Sequence, residues 1–275
     1  MELVTLKLAS AIYLLASVFF FVNTLRPKSV SPRVASLLLA LGFSLQTVAV
    51  LWRTLAIGTV PATDFGEGLS FFGWLTAGSF LILQSRSRIG VVGAVISPLV
   101  FAMTLASVFL YSDVETVPLL LRNPWLPVHV TFAFLGNAVF GLAFAVSVIY
   151  LVQESLLKSR KSGHIVLRLP SLEQLDRLNY RCLAWGFPLL TLGIITGGIF
   201  AMSTWGSFWS WEPRELLSLI TWLLYAGLLQ FRLTRGLRGR LAATLTIVGF
   251  GVLVVSYLSV NLLPLPGRHG GGFGS

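Results

Sequence analysis

The chain has few charged residues and almost no cysteine. Asp, Glu, Lys and Arg make up 11% of its 275 residues, whereas soluble domains carry about 25%. The single cysteine, Cys182, excludes a disulfide framework, a Cys-x-x-Cys redox pair and a thiolate metal cluster within the chain. Any thiol chemistry would therefore have to come from a partner protein.

Apolar residues take the place of the missing charges. They make up 55% of the chain, and the mean hydropathy is +0.84. Eight apolar segments approach or exceed the ~20 residues that cross a bilayer. The sequence therefore predicts an all-α integral membrane protein in which residues 1–275 form one polytopic domain. The segments are centred on Leu14, Phe43, Thr76, Pro98, Phe140, Leu192, Leu223 and Gly251.

Basic residues are unevenly divided among the loops. Alternate loops contain 15 of the 20 Lys and Arg residues, and the opposite side carries seven of the ten acids. Because cytoplasmic loops carry the Lys and Arg excess, we expect both termini to lie outside. The longest inner loop, 153–181, includes a possible short amphipathic helix at Leu172 to Leu178, although a plain connector is the simpler interpretation. The net charge of +10 follows from this distribution and requires no nucleic-acid partner.

A Trp-rich outer loop, residues 203–213, joins the sixth and seventh segments. It contains Trp205, Trp209 and Trp211, followed by Glu212 and Pro213. A short surface helix would place Trp205 and Trp209 on one face. Pro213 suits the first turn of the seventh helix, with Glu212 near its N-terminal end. Three indoles could instead form an aromatic belt at the membrane interface without a ligand, so the loop alone leaves both interpretations open.

Two of the three histidines lie on the same predicted side as this loop. His129 opens the fifth segment and His269 lies in the Gly-rich tail, whereas His164 lies on the opposite side. Two imidazoles around an aromatic platform are what a six-coordinate haem iron requires. Arg214 and Arg268 adjoin the loop and the second histidine, and could neutralise haem propionates. Each histidine taken alone is better explained by a helix end or a tail that faces water.

The Trp-rich loop reads Trp-Gly-Ser-Phe-Trp-Ser-Trp-Glu-Pro, which is similar to the W-G-x-x-W-x-W-[DE]-P signature of a known family. The family comprises the cytochrome c assembly proteins that handle haem, the CcsA, CcmC, CcmF and HemX group. Eight predicted segments in 275 residues resemble the CcsA type most, since CcmC-type relatives have fewer spans and CcmF-type ones are much larger. The likeness continues at 170–176, 186–193, 216–222 and 260–269, and more loosely at 64–67.

This resemblance implies a haem-handling subunit of a system II type cytochrome c synthase, as part of a haem lyase (holocytochrome c synthase) complex in the plasma membrane. It implies haem b held on the outer face by His129 and His269, for thioether attachment to apocytochrome c. The expected partners are apocytochrome c, a CcsB/ResB-like membrane protein and a thiol-reducing protein. The expected haem-binding residues besides the two histidines are Trp205, Trp209, Trp211, Arg214 and Arg268.

One position departs from the family pattern. Relatives carry a His in the span after the Trp-rich loop, in Tyr-Ala-x-x-Leu-His-x-Arg, where this chain has Gln230. Neither Gln230 nor Gln46 can replace an imidazole as a strong iron ligand, which leaves a second, intramembrane haem site in doubt. The departure favours an alternative function, a HemX-like membrane regulator of haem synthesis. A transporter or channel fits less well, because the segments contain almost no ionisable residues.

Overall fold

The computed structural model describes residues 2–25, 32–87, 89–112, 122–159 and 169–262, and within these ranges the secondary structure is entirely helical. All eight α-helices are long and apolar enough to span a membrane, which confirms the predicted fold class. The orientation of the termini stays a prediction. The helices are α1 Glu2–Leu25, α2 Pro32–Ile57, α3 Phe65–Ser87, α4 Gly93–Phe109, α5 Trp125–Lys158, α6 Leu172–Trp205, α7 Pro213–Thr234 and α8 Arg240–Leu262, with one 3₁₀ turn at Gly90–Val92.

The two longest helices exceed the thickness of a bilayer. α5 and α6 have 34 residues each, so each is about 51 Å long against a hydrocarbon core of about 30 Å. The possible amphipathic helix that begins at Leu172 is the first turns of α6 and does not form a separate element. The helix is continuous there because the sequence from Leu172 to Trp185 contains neither Gly nor Pro.

The chain divides into two compact units. Unit 1 comprises Met1–Val117 with Val152–Ser171, and unit 2 comprises Pro118–Leu151 with Leu172–Ser275. In unit 1, α1 packs against α2 and α4, and α3 packs against the same two helices. Unit 2 is the bundle formed by α5 up to Leu151 and by α6, α7 and α8.

Adjacent helices of unit 2 run antiparallel. Asn123, just before α5, donates to the Ser203 hydroxyl near the end of α6 at 2.8 Å. At the other end, Asn179 of α6 donates to the Ser147 hydroxyl of α5 at 2.8 Å. The start of α5 therefore lies beside the end of α6.

The remaining two helices continue this up-and-down arrangement. The Trp222 indole of α7 donates to the Thr191 hydroxyl of α6 at 2.9 Å. Tyr257 of α8 packs edge-to-face on Phe134 of α5, with ring centroids 6.0 Å apart. One end of unit 2 thus gathers the start of α5, the end of α6, the start of α7 and the end of α8. We call it the loop end, because it carries the Trp-rich loop.

Candidate functional site

The Trp-rich loop begins where Gly206 ends α6. The Gly206 N–H donates to the Met202 carbonyl at 3.0 Å, and its φ of 73° is the left-handed conformation that closes helices at low cost in glycine. Residues 206–212 are not helical. The prediction that Trp205 and Trp209 share a face of a surface helix is therefore wrong, because the glycine turns the chain between them.

The start of α7 holds the far end of the loop. Glu212 occupies the N-cap position and Pro213 the first turn, as predicted. The Glu215 carboxylate accepts the backbone N–H of Ser210 at 2.7 Å and that of Glu212 at 3.3 Å. Two backbone donors that precede α7 are thereby satisfied, and the loop is tied to the helix that follows it.

The three indoles of the loop have different surroundings. Trp205 is half-buried and packs edge-to-face on Phe200, with ring centroids 5.4 Å apart. Trp209 and Trp211 form a second edge-to-face pair at 5.9 Å. The Nε1–H of Trp209 is buried and has no hydrogen-bond partner in the described part of the chain. Trp211 is 67% exposed. The loop therefore presents an open aromatic surface beside an unused buried donor.

The backbone of Trp211 is strained. Its φ of 59° is the only positive value at a described residue other than glycine. A left-handed conformation at such a residue costs about 1–3 kcal/mol and persists only where its surroundings impose it. The loop is thus held in one shape, which an unstructured interfacial anchor would not need.

His129 lies in the second turn of α5, at the loop end of unit 2. Its Nδ1 is 2.7 Å from the carbonyl oxygen of Gly193 on α6. A carbonyl can only accept, so Nδ1 carries a proton, and in a neutral ring the lone pair is then on Nε2. This is the tautomer in which Nε2 can bind a metal.

His129 and the Trp-rich loop contact adjacent residues of α6. The His129 ring lies against Gly197, and the Phe208 ring of the loop lies against Gly198. Phe208 is 48% exposed. An imidazole and a partly exposed aromatic ring therefore contact α6 at the same level along its axis, about 100° apart around it.

The other predicted site residues divide into two groups. Arg214 is half-buried in the first turn of α7, within electrostatic range of Glu212 and of Tyr257 on α8. His269 and Arg268 lie outside the described residues, so their placement stays a prediction. No three His, Cys, Asp or Glu side chains within the described ranges lie close enough to hold a metal ion.

The two intramembrane glutamines have unrelated surroundings. Gln46 is fully buried in unit 1, accepts from the Tyr13 hydroxyl at 2.8 Å and donates to the Ser70 carbonyl at 3.0 Å. Its amide therefore serves the helix packing of unit 1. Gln230 is exposed on the surface of α7.

Sequence reasoning missed a buried ion pair in unit 1. Arg53 Nε lies 2.5 Å from Glu67 Oε1, and both side chains are less than a tenth exposed. The guanidinium also donates to the Ser112 carbonyl at 3.2 Å and lies 3.5 Å from the Glu2 carboxylate. These groups line a partly open cleft. The signal in the sequence was a basic residue near the end of one apolar segment, Arg53, and an acidic residue near the start of the next, Glu67.

A second missed network closes the end of unit 2 opposite the loop end. Arg232 of α7 pairs with Asp176 of α6 at 2.6 Å and also donates to the Asn179 side chain. Asn179 in turn donates to Ser147 of α5 and to Thr246 of α8. The network satisfies its own polar groups and joins all four helices, which makes it a structural element.

Comparisons with known proteins give a consistent picture. The family model described as "Cytochrome C assembly protein" matches residues 63–265. The chain is 33% identical over 272 residues to a cytochrome c biogenesis protein CcsA of Synechococcus sp. (strain RCC307), covering 90% of this chain and 87% of that protein. It is 32% identical over 239 residues to the CcsA of Guillardia theta, covering 79% and 78%.

Among solved structures, the chain is similar to a protein titled "Cytochrome c Heme Lyase CcmF". The TM-score is 0.63 and the identity 18%, over 94% of this chain and 46% of that one. This likeness shows a shared fold alone, and the chain spans less than half the length of that protein.

Proposed function

Because the chain belongs to the cytochrome c assembly protein family, we propose that it is the haem-handling subunit of a system II type cytochrome c synthase. It is a multi-pass membrane protein of cytochrome c biogenesis, and it belongs to the CcsA type. In the proposal, it holds haem b on the outer face of the plasma membrane, where haem is attached to apocytochrome c.

His129 is the observation that carries the proposal. Donation from Nδ1 to the Gly193 carbonyl fixes the tautomer with the lone pair on Nε2, the atom proposed to bind iron. The ring contacts Gly197 of α6, and the Phe208 ring of the Trp-rich loop contacts the next residue, Gly198. The residues present thus fit haem, which needs an axial nitrogen and an apolar surface for the macrocycle.

His269 is proposed as the second axial ligand. α8 ends at Leu262, at the loop end, and His269 follows seven residues later. Seven residues reach at most about 25 Å when fully extended. The proposal therefore requires the site to lie within that distance of the end of α8.

The loop and its neighbours are proposed to hold the macrocycle. Trp205, Trp209 and Trp211 supply aromatic surface, and Arg214 with Arg268 supplies positive charge for the two propionates. The buried Nε1–H of Trp209 supports this assignment, because a buried donor without an acceptor is costly unless a ligand provides one.

The chain's own contribution to attachment is positioning. Bound haem would supply the vinyl groups that become thioether-linked to the two thiols of the apocytochrome. Orienting one edge of the macrocycle toward the incoming Cys-x-x-Cys-His segment lowers the barrier through proximity. Cys182 is buried in α6, so the thiol pair and its reductant are assigned to partners. A CcsB/ResB-like membrane protein and a thiol-reducing protein complete the proposed complex.

A HemX-like regulator of haem synthesis is the second candidate. It is favoured by Gln230, which stands where relatives carry a His and is exposed on α7. Cytochrome c maturation in a deletion strain separates the two functions. Loss of maturation supports the synthase, whereas unchanged maturation with altered levels of haem precursors supports the regulator.

An absorption spectrum tests the site directly. The purified full chain is compared with His129→Ala and His269→Ala, and with His164→Ala as the matched control from the predicted inner side. We expect a reduced low-spin haem spectrum that both outer variants lose and the control retains. A haem-free wild type, or a spectrum that neither outer variant changes, would refute the bis-histidine site.

A further inference from the structure

The His129 ring lies against Gly197 of α6, where a second glycine, Gly193, lets α5 and α6 approach closely. A Cβ atom added at Gly197 would lie 2.7 Å from both Cε1 and Nδ1 of His129, closer than real contacts allow. A Cβ atom added at Gly193, one turn earlier, would lie 3.0 Å from the backbone of Ala133 on α5. The imidazole therefore rests on bare helix backbone, and the absence of side chains fixes where its ring can lie.

The carbonyl that orients His129 also accepts a second side-chain donor. The Thr196 hydroxyl lies 3.1 Å from the Gly193 oxygen and 2.7 Å from the Leu192 oxygen, so it is shared between the two. Thr196 is 8% exposed. A carbonyl oxygen that already accepts from a hydroxyl is a weaker acceptor for the imidazole N–H, so Thr196 and His129 are coupled through one atom.

We propose that Gly193, Thr196 and Gly197 are positioning residues for His129. The Gly193 carbonyl fixes the tautomer, the missing side chain of Gly197 leaves room for the ring, and the Thr196 hydroxyl limits the strength of His129 as an iron ligand. This inference rests on the proposed function. When the ring nitrogen that does not bind the metal, here Nδ1, donates a hydrogen bond, the histidine becomes a more basic ligand. A more basic axial ligand favours ferric iron, so Thr196 keeps the reduction potential of the haem higher than it would otherwise be.

Gly197→Ala tests the contact between Gly197 and the His129 ring. The new methyl group forces the ring away from Gly193, and we expect the purified full chain to retain haem at least about tenfold less tightly. The low-spin electron paramagnetic resonance signal of the remaining haem should shift. Gly227→Ala on α7 is the control, because a Cβ atom added there meets nothing within 4 Å. It should match the wild type in both measurements.

Thr196→Val tests the tuning and keeps the side-chain volume, so it remains informative if Gly197→Ala does not fold. The Gly193 carbonyl then becomes a stronger acceptor for His129. The midpoint potential of the haem should fall, which corresponds to roughly a threefold shift of the ferric-to-ferrous equilibrium toward ferric iron. Thr221→Val on α7 is the control, since that buried hydroxyl donates to the Leu217 carbonyl of its own helix, at 2.9 Å.

The outcomes separate this inference from the proposed function. If the wild-type spectrum depends on His129 but Thr196→Val leaves potential and resonance signal unchanged, the positioning role is overturned and the haem site stands. If the wild type shows no haem that depends on His129, both are overturned. A lowered potential in Thr196→Val, with Thr221→Val unchanged, supports the inference.

Discussion

Trp209 differs from the other two indoles of the loop in the state of its N–H group. The Nε1–H is buried without a partner among the described residues, and such a group costs about 1–3 kcal/mol. Trp205, by contrast, is anchored by its packing on Phe200. At the scale of single residues, Trp209 is therefore the indole of the loop that gains most free energy when a ligand supplies a hydrogen-bond acceptor.

Trp209→Phe should weaken haem retention by roughly tenfold, because it removes the donor and keeps an aromatic ring for packing. Transfer of haem to apomyoglobin, followed by absorption, measures the dissociation rate. Trp185→Phe is the control, since Trp185 is 72% exposed on α6 and lies outside the loop. Equal dissociation rates for the two variants would show that the Trp209 N–H does not contact the ligand.

The strained backbone of Trp211 bears on whether the loop is a membrane anchor or a binding surface. A ring that is 67% exposed gains little from burial within the protein, yet its left-handed φ costs free energy. An interfacial anchor could present the same ring from relaxed backbone. The strain therefore favours a loop shaped for a ligand.

At the scale of elements, the start of α7 determines the shape of the loop. Glu215 accepts two backbone N–H groups that precede the helix, while Gly206 sets the direction in which the chain leaves α6. Both ends of the loop are thus fixed by helix termini, and the seven residues between them have little freedom to move independently.

Glu215→Ala should loosen the loop without unfolding α7. The loss of its two backbone contacts costs about 1–2 kcal/mol, the usual value of a helix cap. Chymotrypsin, which cleaves after aromatic residues, should cut within 206–212 several times faster, while circular dichroism shows unchanged helix content. Glu173→Ala in the exposed first turn of α6 is the matched control. Equal cleavage of both variants would show that Glu215 does not hold the loop.

At the scale of the whole molecule, each unit has one buried arginine among its described residues, and that arginine joins helices of the unit. In unit 1, Arg53 of α2 contacts Glu67 of α3, Glu2 of α1 and the Ser112 carbonyl after α4. In unit 2, the network around Arg232 reaches all four helices. Charged residues are scarce in this chain, and both of these arginines are used to join helices.

The eight spans and the position of the Trp-rich loop could be predicted, because they depend on the length of apolar runs and on contiguous residues. The Gly193 acceptor of His129 could not, since it lies 64 positions away along the chain. The Trp205–Trp209 helix was predicted wrongly because the spacing of two indoles says nothing about a glycine turn between them. The first of these features depends on how α5 and α6 pack, and the second on one backbone turn. The placement of His269 and Arg268 stays a prediction.

The buried pair of unit 1 yields the last prediction. Arg53→Met leaves the Glu67 carboxylate buried without its cation, and we expect the free energy of unfolding in detergent to fall by about 3–5 kcal/mol. Arg53→Met with Glu67→Gln removes both charges and should recover most of that loss, because the amide needs no counter-ion. Arg177→Met is the control, since its pair with Glu173 is exposed and should contribute less than about 1 kcal/mol. If the double variant is no more stable than Arg53→Met, the stability of unit 1 depends on the other contacts of Arg53, with Glu2, Ser112 and the Tyr111 ring, more than on neutralisation of Glu67.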